Sequence, residues 1–250
     1  MKAFLLAGGL GERLRPLTLQ IPKCLVPIRG VPLLEIWLRL CERHCIDEVL
    51  LNVVQHPERV QAFLDSRPPG RTRVHLVREG RPAGTAGTVL ANRAFVAGDE
   101  SFWVIYSDNL TNMALDRMLA FHRGHDGPLT MGLFRASDPC AAGIAGLDEA
   151  GRIVDFEEKP PRPRSDLGNA GIYVVRQPVL DLIPSGRPLV DFGHDVLPGL
   201  IGKMYGYRIP EYYVDIGTPA ALARAEAEWG SPHAGDFADP EVSRRGETTE

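Results

Sequence analysis

Apolar positions along the chain fall into two rhythms. Short β-branched or aromatic runs, Lys2–Ala7, Glu48–Val54, Arg73–Val77 and Ser101–Ser107, are separated by stretches with helical spacing at Leu33–His44, Pro57–Asp65 and Thr85–Phe95. This alternation predicts βαβ units around a largely parallel sheet. Beyond Ala114 the rhythm changes. A stretch at Met113–His125 carries Met, Leu and Phe at helical spacing, as core packing requires. After it, the strand-like runs Leu129–Arg135, Ile144–Leu147, Arg152–Phe156 and Gly168–Val175 follow one another with turns between them. Mixed or antiparallel pairing is expected there. Three prolines in Lys159–Arg164 exclude a helix or an inner strand. Glu211–Ile216 predicts a last strand and Pro219–Trp229 a closing helix.

The pattern divides at about residue 113. Residues 1–229 read as one α/β domain with two halves, 1–113 and 114–229. From Ser231 to Glu250 the apolar residues are only Ala234, Phe237, Ala238 and Val242. Such a segment does not offset its ordering entropy, so 230–250 is expected to be a flexible tail.

Composition narrows the partners more than the fold. The 250 residues are 44% apolar and 24% charged, with 28 basic against 32 acidic side chains and a formal charge of -4. No overall positive field draws the chain to nucleic acid or to an anionic membrane, so any polyanion it binds is small and held locally. Cys24, Cys41, Cys45 and Cys140 form no CxxC pair, which argues against a zinc site or a disulfide framework and for a reducing cytoplasm. Cys41 and Cys45, four apart, are expected to fill a buried helix face. The apolar run Ala3–Ala7 is too short for a signal peptide or a membrane span.

The chemistry concentrates where the first strand ends. Ala7, Gly8, Gly9 and Gly11 make a glycine-rich turn whose backbone N–H groups can approach a phosphate closely. Arg13, Arg15 and Lys23 follow, cations that can spread over a triphosphate. There is no G-x-x-x-x-G-K-[ST], and G-x-G-x-x-G fails because Leu14 stands at its third glycine. Asp108 lies at the carboxyl end of an apolar strand, where open α/β sheets bind ligands, and a carboxylate there can hold Mg²⁺.

The run GGLGERLRPLT…PK resembles the signature of the sugar-1-phosphate nucleotidyltransferases. Four further stretches follow in that family's order: Gly84-Thr85-Ala86-Gly87, Tyr106-Ser107-Asp108-Asn109, Phe156-Glu157-Glu158-Lys159-Pro160 with Asn169-Ala170-Gly171, and Val214-Asp215-Ile216-Gly217-Thr218. The resemblance spans residues 1 to about 228. It implies a Rossmann-like, mostly parallel mixed sheet flanked by helices. It also implies attack of a sugar-1-phosphate oxygen on the α-phosphorus of a nucleoside triphosphate, with pyrophosphate released.

By the same resemblance Arg13 and Lys23 are the catalytic cations, and Asp215 completes a Mg²⁺ site with Asp108. Lys159 matches the lysine for the sugar phosphate, Glu158 and Asn169 serve the sugar hydroxyls, and Gly143 lets the backbone approach the sugar. An aromatic residue commonly precedes that glycine, but Ala142 does so here, which implies a roomier wall and a sugar-like substrate that could be a heptose or a cyclitol. Base recognition is expected from Glu79, Gly84, Thr85 and Ala86, since a carboxylate can accept the N–H groups of guanine. The loop's spelling favours a guanylyltransferase using GTP, with uridylyl, adenylyl or thymidylyl transfer as alternatives.

The expected partners are therefore a nucleoside triphosphate and a sugar-1-phosphate, with neither nucleic acid nor membrane, and a homodimer is left open. Residues 1 to about 228 leave no room for the left-handed β-helix of longer relatives, so one activity is expected. A non-catalytic nucleotide-sugar-binding regulatory protein is the competing class; it should have lost Arg13, Lys23 or an Asp, and all are present.

Overall fold

The structure, a computed structural model, describes residues 1–231. The expected tail, 230–250, lies outside the described residues from 232 onward.

One nine-stranded mixed sheet organises the molecule. Its strands are β1 (Lys2–Ala7), β4 (Glu48–Val53), β5 (Arg73–Arg78), β6 (Ser101–Tyr106), β8 (Leu129–Arg135), β9 (Gly143–Leu147), β10 (Ile153–Glu158), β11 (Leu167–Arg176) and β12 (Tyr205–Arg208). The main path runs β10-β9-β11-β6-β1-β4-β5, with β8 paired to β11 and β12 to β8. β1 is central and runs parallel to β4 and β6, and β5 extends this block in parallel. Phe4, Leu5, Val104 and Ile105 are fully buried, as the unbroken apolar runs require of strands covered on both faces.

β11 pairs antiparallel with β6, β8 and β9, while β12 runs parallel to β8, the mixed pairing that the change of rhythm after residue 114 predicts. Because β11 runs against β6, with Ile172 opposite Ile105, the start of β11 arrives at the edge where β1 and β6 end. The substrate-side half is thus delivered to the carboxyl edge of the parallel block.

Among the described residues five α-helices flank the sheet: α1 (Leu33–Arg43), α2 (Pro57–Ser66), α3 (Thr85–Ala91), α4 (Leu115–Arg123) and α5 (Pro219–Glu228). α1 buries Leu33, Leu34, Ile36, Trp37, Leu38, Leu40 and Cys41, and Trp37 Nε1 donates to the Asn109 carbonyl at 2.8 Å. The expected buried face at Cys45 is not formed: Cys45 is exposed with φ 55, one residue past the cap of α1. There Ile46 N donates to Cys41 O at 2.9 Å, closing the turn that ends the helix.

Two small sheets also form among the described residues. β2 (Pro27–Ile28) pairs with β3 (Val31–Pro32), and β7 (Asn109–Thr111) pairs antiparallel with β13 (Tyr213–Asp215). The second matters most here, because it sets Asp215 opposite Asn109 and beside Asp108.

A buried polar network ties α4 to the sheet. His122, 1% exposed, has Nδ1 2.8 Å from Thr130 Oγ1 and Nε2 3.2 Å from Ser101 Oγ. The Arg176 guanidinium reaches the carbonyls of His122, His125 and Gly127. Burial pulls the His122 pKa down to about 3, and Arg176, His125 and Arg123 push the same way. In the unfolded chain His titrates near 6.5, so the fold keeps its full contribution above that pH and loses it toward the folded value. Lowering the pH from 7.5 to 5 is expected to cost about 2 kcal/mol at His122, at ~1.4 kcal/mol per pH unit below 6.5. Urea unfolding at both pH values should show a loss about 2 kcal/mol larger in the wild type than in His122→Gln, because His125 and His44, whose pKa values burial also lowers, titrate in both proteins; parallel profiles would refute it.

Candidate active site

Three adjoining chambers open at the carboxyl edge of β1, β4 and β6. The first, of about 230 Å³, lies between the β1 turn and the loop before α3 and includes Ala7, Gly8, Gly9, Glu79, Gly84 and Thr85. A wider chamber of about 470 Å³ follows the turn from Gly8 to Arg13 and reaches Lys23, Asp108 and Gly217. The third, of about 300 Å³, lies on the β11 side and holds Gly143, Glu158, Lys159 and Asn169. Asp108 borders all three. Of the site residues singled out from the sequence, Ala86 and Arg15 line none of them; the expected phosphate cation Arg15 instead lies 3.2 Å from Glu12 Oε1.

The centre of this cleft is a charge cluster. Lys23 Nζ donates to Asp108 Oδ2 at 2.9 Å and lies 3.6 Å from Asp215 Oδ1, while Arg13 NH2 lies 3.6 Å from Asp215 Oδ2. The Lys23 side chain is only 10% exposed, whereas Asp108 and Asp215 are 41% and 43% exposed. Asp215 Oδ1 also accepts from Gly217 N at 2.7 Å, and a Cβ at Gly217 would lie 2.6 Å from the Arg13 guanidinium. A single short turn therefore fixes a carboxylate and leaves room for an arginine. Gly11 makes the corresponding turn with φ 61, where its carbonyl accepts from Thr18 Oγ1 at 2.7 Å.

On the first chamber's floor the Glu79 carboxylate is held from two sides. Thr88 Oγ1 donates to Oε1 at 2.7 Å, and Asn52 Nδ2 donates to Oε2 at 3.1 Å. Asn52 Oδ1 accepts from Ala7 N at 2.9 Å, so one amide ties the β1 turn to Glu79. Asn52 does not stand out in the motifs. Asn52 does carry a signal, as a lone buried polar side chain in the apolar strand Glu48–Val53.

The loop before α3 departs from expectation. Ala86 is fully buried, and its N–H, with that of Gly87, donates to the Val190 carbonyl at 3.0 Å. Those donors are committed within the protein, leaving the N-cap Gly84 and the first helical residue Thr85 as the part that faces the chamber. Thr85 Oγ1 donates to Asp191 Oδ2 at 2.8 Å and accepts from Phe192 N at 2.9 Å. Asp191 borders both the first and the third chamber, and nothing in the sequence pattern marks it.

In the third chamber Glu158 faces Gly143 across the β9–β10 pair. A Cβ at Gly143 would lie 2.5 Å from Glu158 Oε2, and one at Gly193 would lie 2.7 Å from it, so two glycines make the space for this carboxylate. Burial raises the Glu158 pKa; Lys159 and His194 oppose the rise and Asp191 adds to it. Lys159 has φ 51, with its N–H on the Ala142 carbonyl at 3.1 Å. Asn169 is engaged internally, donating to Tyr173 Oη at 2.7 Å and accepting from Gly171 N at 3.0 Å. It sits where the β8–β11 register shifts, between Asn169 and Tyr173, a bulge that turns the strand at the cleft.

The nucleotidyl transferase family profile matches residues 2–231. The chain belongs to this family. It is 36% identical over 230 residues to mannose-1-phosphate guanylyltransferase of Mycobacterium tuberculosis, covering 90% of this chain and 64% of that protein. To mannose-1-phosphate guanylyltransferase 1 of Arabidopsis thaliana it is 34% identical over 225 residues, covering 88% and 62%. The chain thus spans 62% to 64% of the length of these relatives. A Bacillus anthracis protein described as a glucose-1-phosphate thymidylyltransferase, crystallised with sucrose, superposes with a TM-score of 0.82 at 25% identity, covering 91% of this chain and 94% of that one. HddC of Yersinia pseudotuberculosis shares the fold, with a TM-score of 0.75 at 23% identity over 91% of this chain and 98% of that one. These neighbours agree with the mixed, helix-flanked sheet described above for this chain. Among its described residues no helix is long and apolar enough to cross a membrane.

Proposed function

We propose that residues 1–229 act as one catalytic unit that transfers a nucleoside monophosphate from a nucleoside triphosphate to a sugar-1-phosphate. GTP is the favoured donor, a choice supported by the guanylyltransferase relatives and by the carboxylate of Glu79 on the first chamber's floor. The observation that carries this reading is the meeting of Arg13, Lys23, Asp108 and Asp215 where the three chambers adjoin.

In the proposed reaction a phosphate oxygen of the sugar-1-phosphate forms a bond to the α-phosphorus. The bond from that phosphorus to the β-phosphate oxygen breaks, giving the nucleotide-sugar and pyrophosphate. No covalent enzyme intermediate is needed, so the protein supplies positioning and charge stabilisation. Lys23 stabilises charge at the α-phosphate, and Arg13 holds the departing pyrophosphate along the Gly8–Gly11 turn. Glu79, Gly84 and Thr85 face the base. Lys159 takes the sugar phosphate, Glu158 accepts from sugar hydroxyls, and Gly143 gives the space for that carboxylate.

The donor set fits a hard divalent cation, for which Mg²⁺ is proposed. Two half-exposed carboxylates converge on one positive centre, now the Lys23 ammonium, and among the described residues no third His, Cys, Asp or Glu joins them. Asp108 and Asp215 would hold the ion, whose other ligands would be phosphate oxygens and water. When bound, it supplies charge neutralisation to the phosphates. All four cysteines are free, which supports a reducing, cytoplasmic setting.

Pyrophosphate release should be measured for five nucleoside triphosphates against hexose-, heptose- and cyclitol-1-phosphates. Turnover with GTP and at least one acceptor is expected; no release from any pair would favour a regulatory protein. Asp108→Asn and Asp215→Asn should each raise the Mg²⁺ concentration for half-maximal release by about tenfold or more, because each removes a charged oxygen ligand. An unchanged Mg²⁺ dependence in both would refute the metal site.

A further inference from the structure

The segment from Leu189 to Gly193 forms a wall of the cleft that the motifs do not announce. It is pinned to the loop before α3 and to that helix's first turn: Val190 N donates to Ala83 O at 2.9 Å, the Val190 carbonyl accepts from Ala86 and Gly87, and Asp191 accepts from Thr85. Leu189 is consequently held over the cleft on a fixed backbone. Its side chain is 53% exposed, one of five large apolar side chains exposed among the described residues. Of those five, Leu189 alone borders the chambers, and it borders both the first and the second. Pro82 borders the same two, so two apolar groups line the passage between the base chamber and the phosphate turn.

We infer that Leu189 is a nucleotide-contacting residue, which covers an apolar face of the base or ribose of the bound nucleoside triphosphate. This rests on the first chamber being the nucleotide side, as proposed above. Hydrophobic coverage of an aromatic base needs no directional partner, and an exposed leucine on a fixed backbone supplies it without loop ordering. Leu189 thus sets nucleotide affinity, while Glu79 and the loop before α3 set which base is accepted.

Thermal shift of Leu189→Ala with GTP and Mg²⁺ tests this without requiring turnover. The ligand-free midpoint should match the wild type, because an exposed side chain contributes little to the fold. Nucleotide affinity should fall about fivefold, the loss expected when roughly half of a leucine's burial is removed. KM for GTP should rise by the same factor with KM for the sugar-1-phosphate unchanged, and Leu189→Met should restore both. Leu182→Ala, also 53% exposed but away from the chambers, serves as the neutral control. Unchanged GTP affinity and KM in Leu189→Ala would overturn the inference. Wild-type protein that binds GTP yet releases no pyrophosphate would instead count against the proposed reaction and leave the binding measurement to decide on Leu189.

Discussion

Replacing Lys23 by methionine is expected to lower turnover by about 10²–10³-fold, or ~3–4 kcal/mol in the barrier, the usual effect of removing one group aimed at developing charge. The Lys23 side chain is 10% exposed and lies against two carboxylates, so its ammonium is held in place before substrate arrives. Such preorganisation makes its charge worth more than that of a solvated lysine. Methionine keeps the apolar stem and removes the charge. The two aspartates left behind are each more than two-fifths exposed and remain hydrated, so the fold should lose only about 1 kcal/mol. The thermal midpoint should fall by ~2–4 °C for a chain of this size. Steady-state kinetics at saturating GTP, run beside a thermal melt, separate the two effects. Turnover within tenfold of wild type would remove Lys23 from the chemistry, and a collapse of the midpoint would make its role structural.

The parallel block was legible because its strands are buried on both faces and bounded by glycines or charges. The sequence reading of Lys2–Ala7 matches β1 at both ends, and that of Glu48–Val54 differs from β4 by one residue. Strands of two to four residues, such as β2, β3 and β12, carry no period and escaped it. Cys45 escaped for another reason. Its position just past α1 takes a left-handed conformation that usually announces itself by Gly or Asn, and here the residue is Cys.

The same distinction holds in the cleft. Glycine turns and the charges beside them are local in sequence and can be read from spacing. The residues that fix them are not: Asn52 reaches Glu79 across 27 positions and Asp191 reaches Thr85 across 106. Only the folded chain brings these together. Ala86 shows the converse, since its motif is local but its donor is taken by Val190, more than a hundred residues away.

That long-range contact leads to the largest expected effect on stability, from Gly84→Ala. Gly84 has φ 82 and ψ 163, a region that only glycine populates readily, and a side chain there costs about 1–3 kcal/mol in backbone strain. A Cβ would also run into the Val190 backbone carbonyl, which does not yield by changing rotamer. Relief of that collision moves Val190 O away from Ala86 N and Gly87 N, leaving two N–H groups short of an acceptor at about 1 kcal/mol each. The expected total is about 3–5 kcal/mol, or a fall in midpoint of roughly 10 °C. Leu189 and Asp191 flank Val190, so nucleotide affinity should fall as well. Gly80→Ala, in the preceding turn, is the matched control: a Cβ there meets nothing within 4 Å, and the midpoint should hardly move. Differential scanning calorimetry of the two variants decides the point. A Gly84→Ala protein as stable as Gly80→Ala would mean that Val190 does not brace the loop before α3.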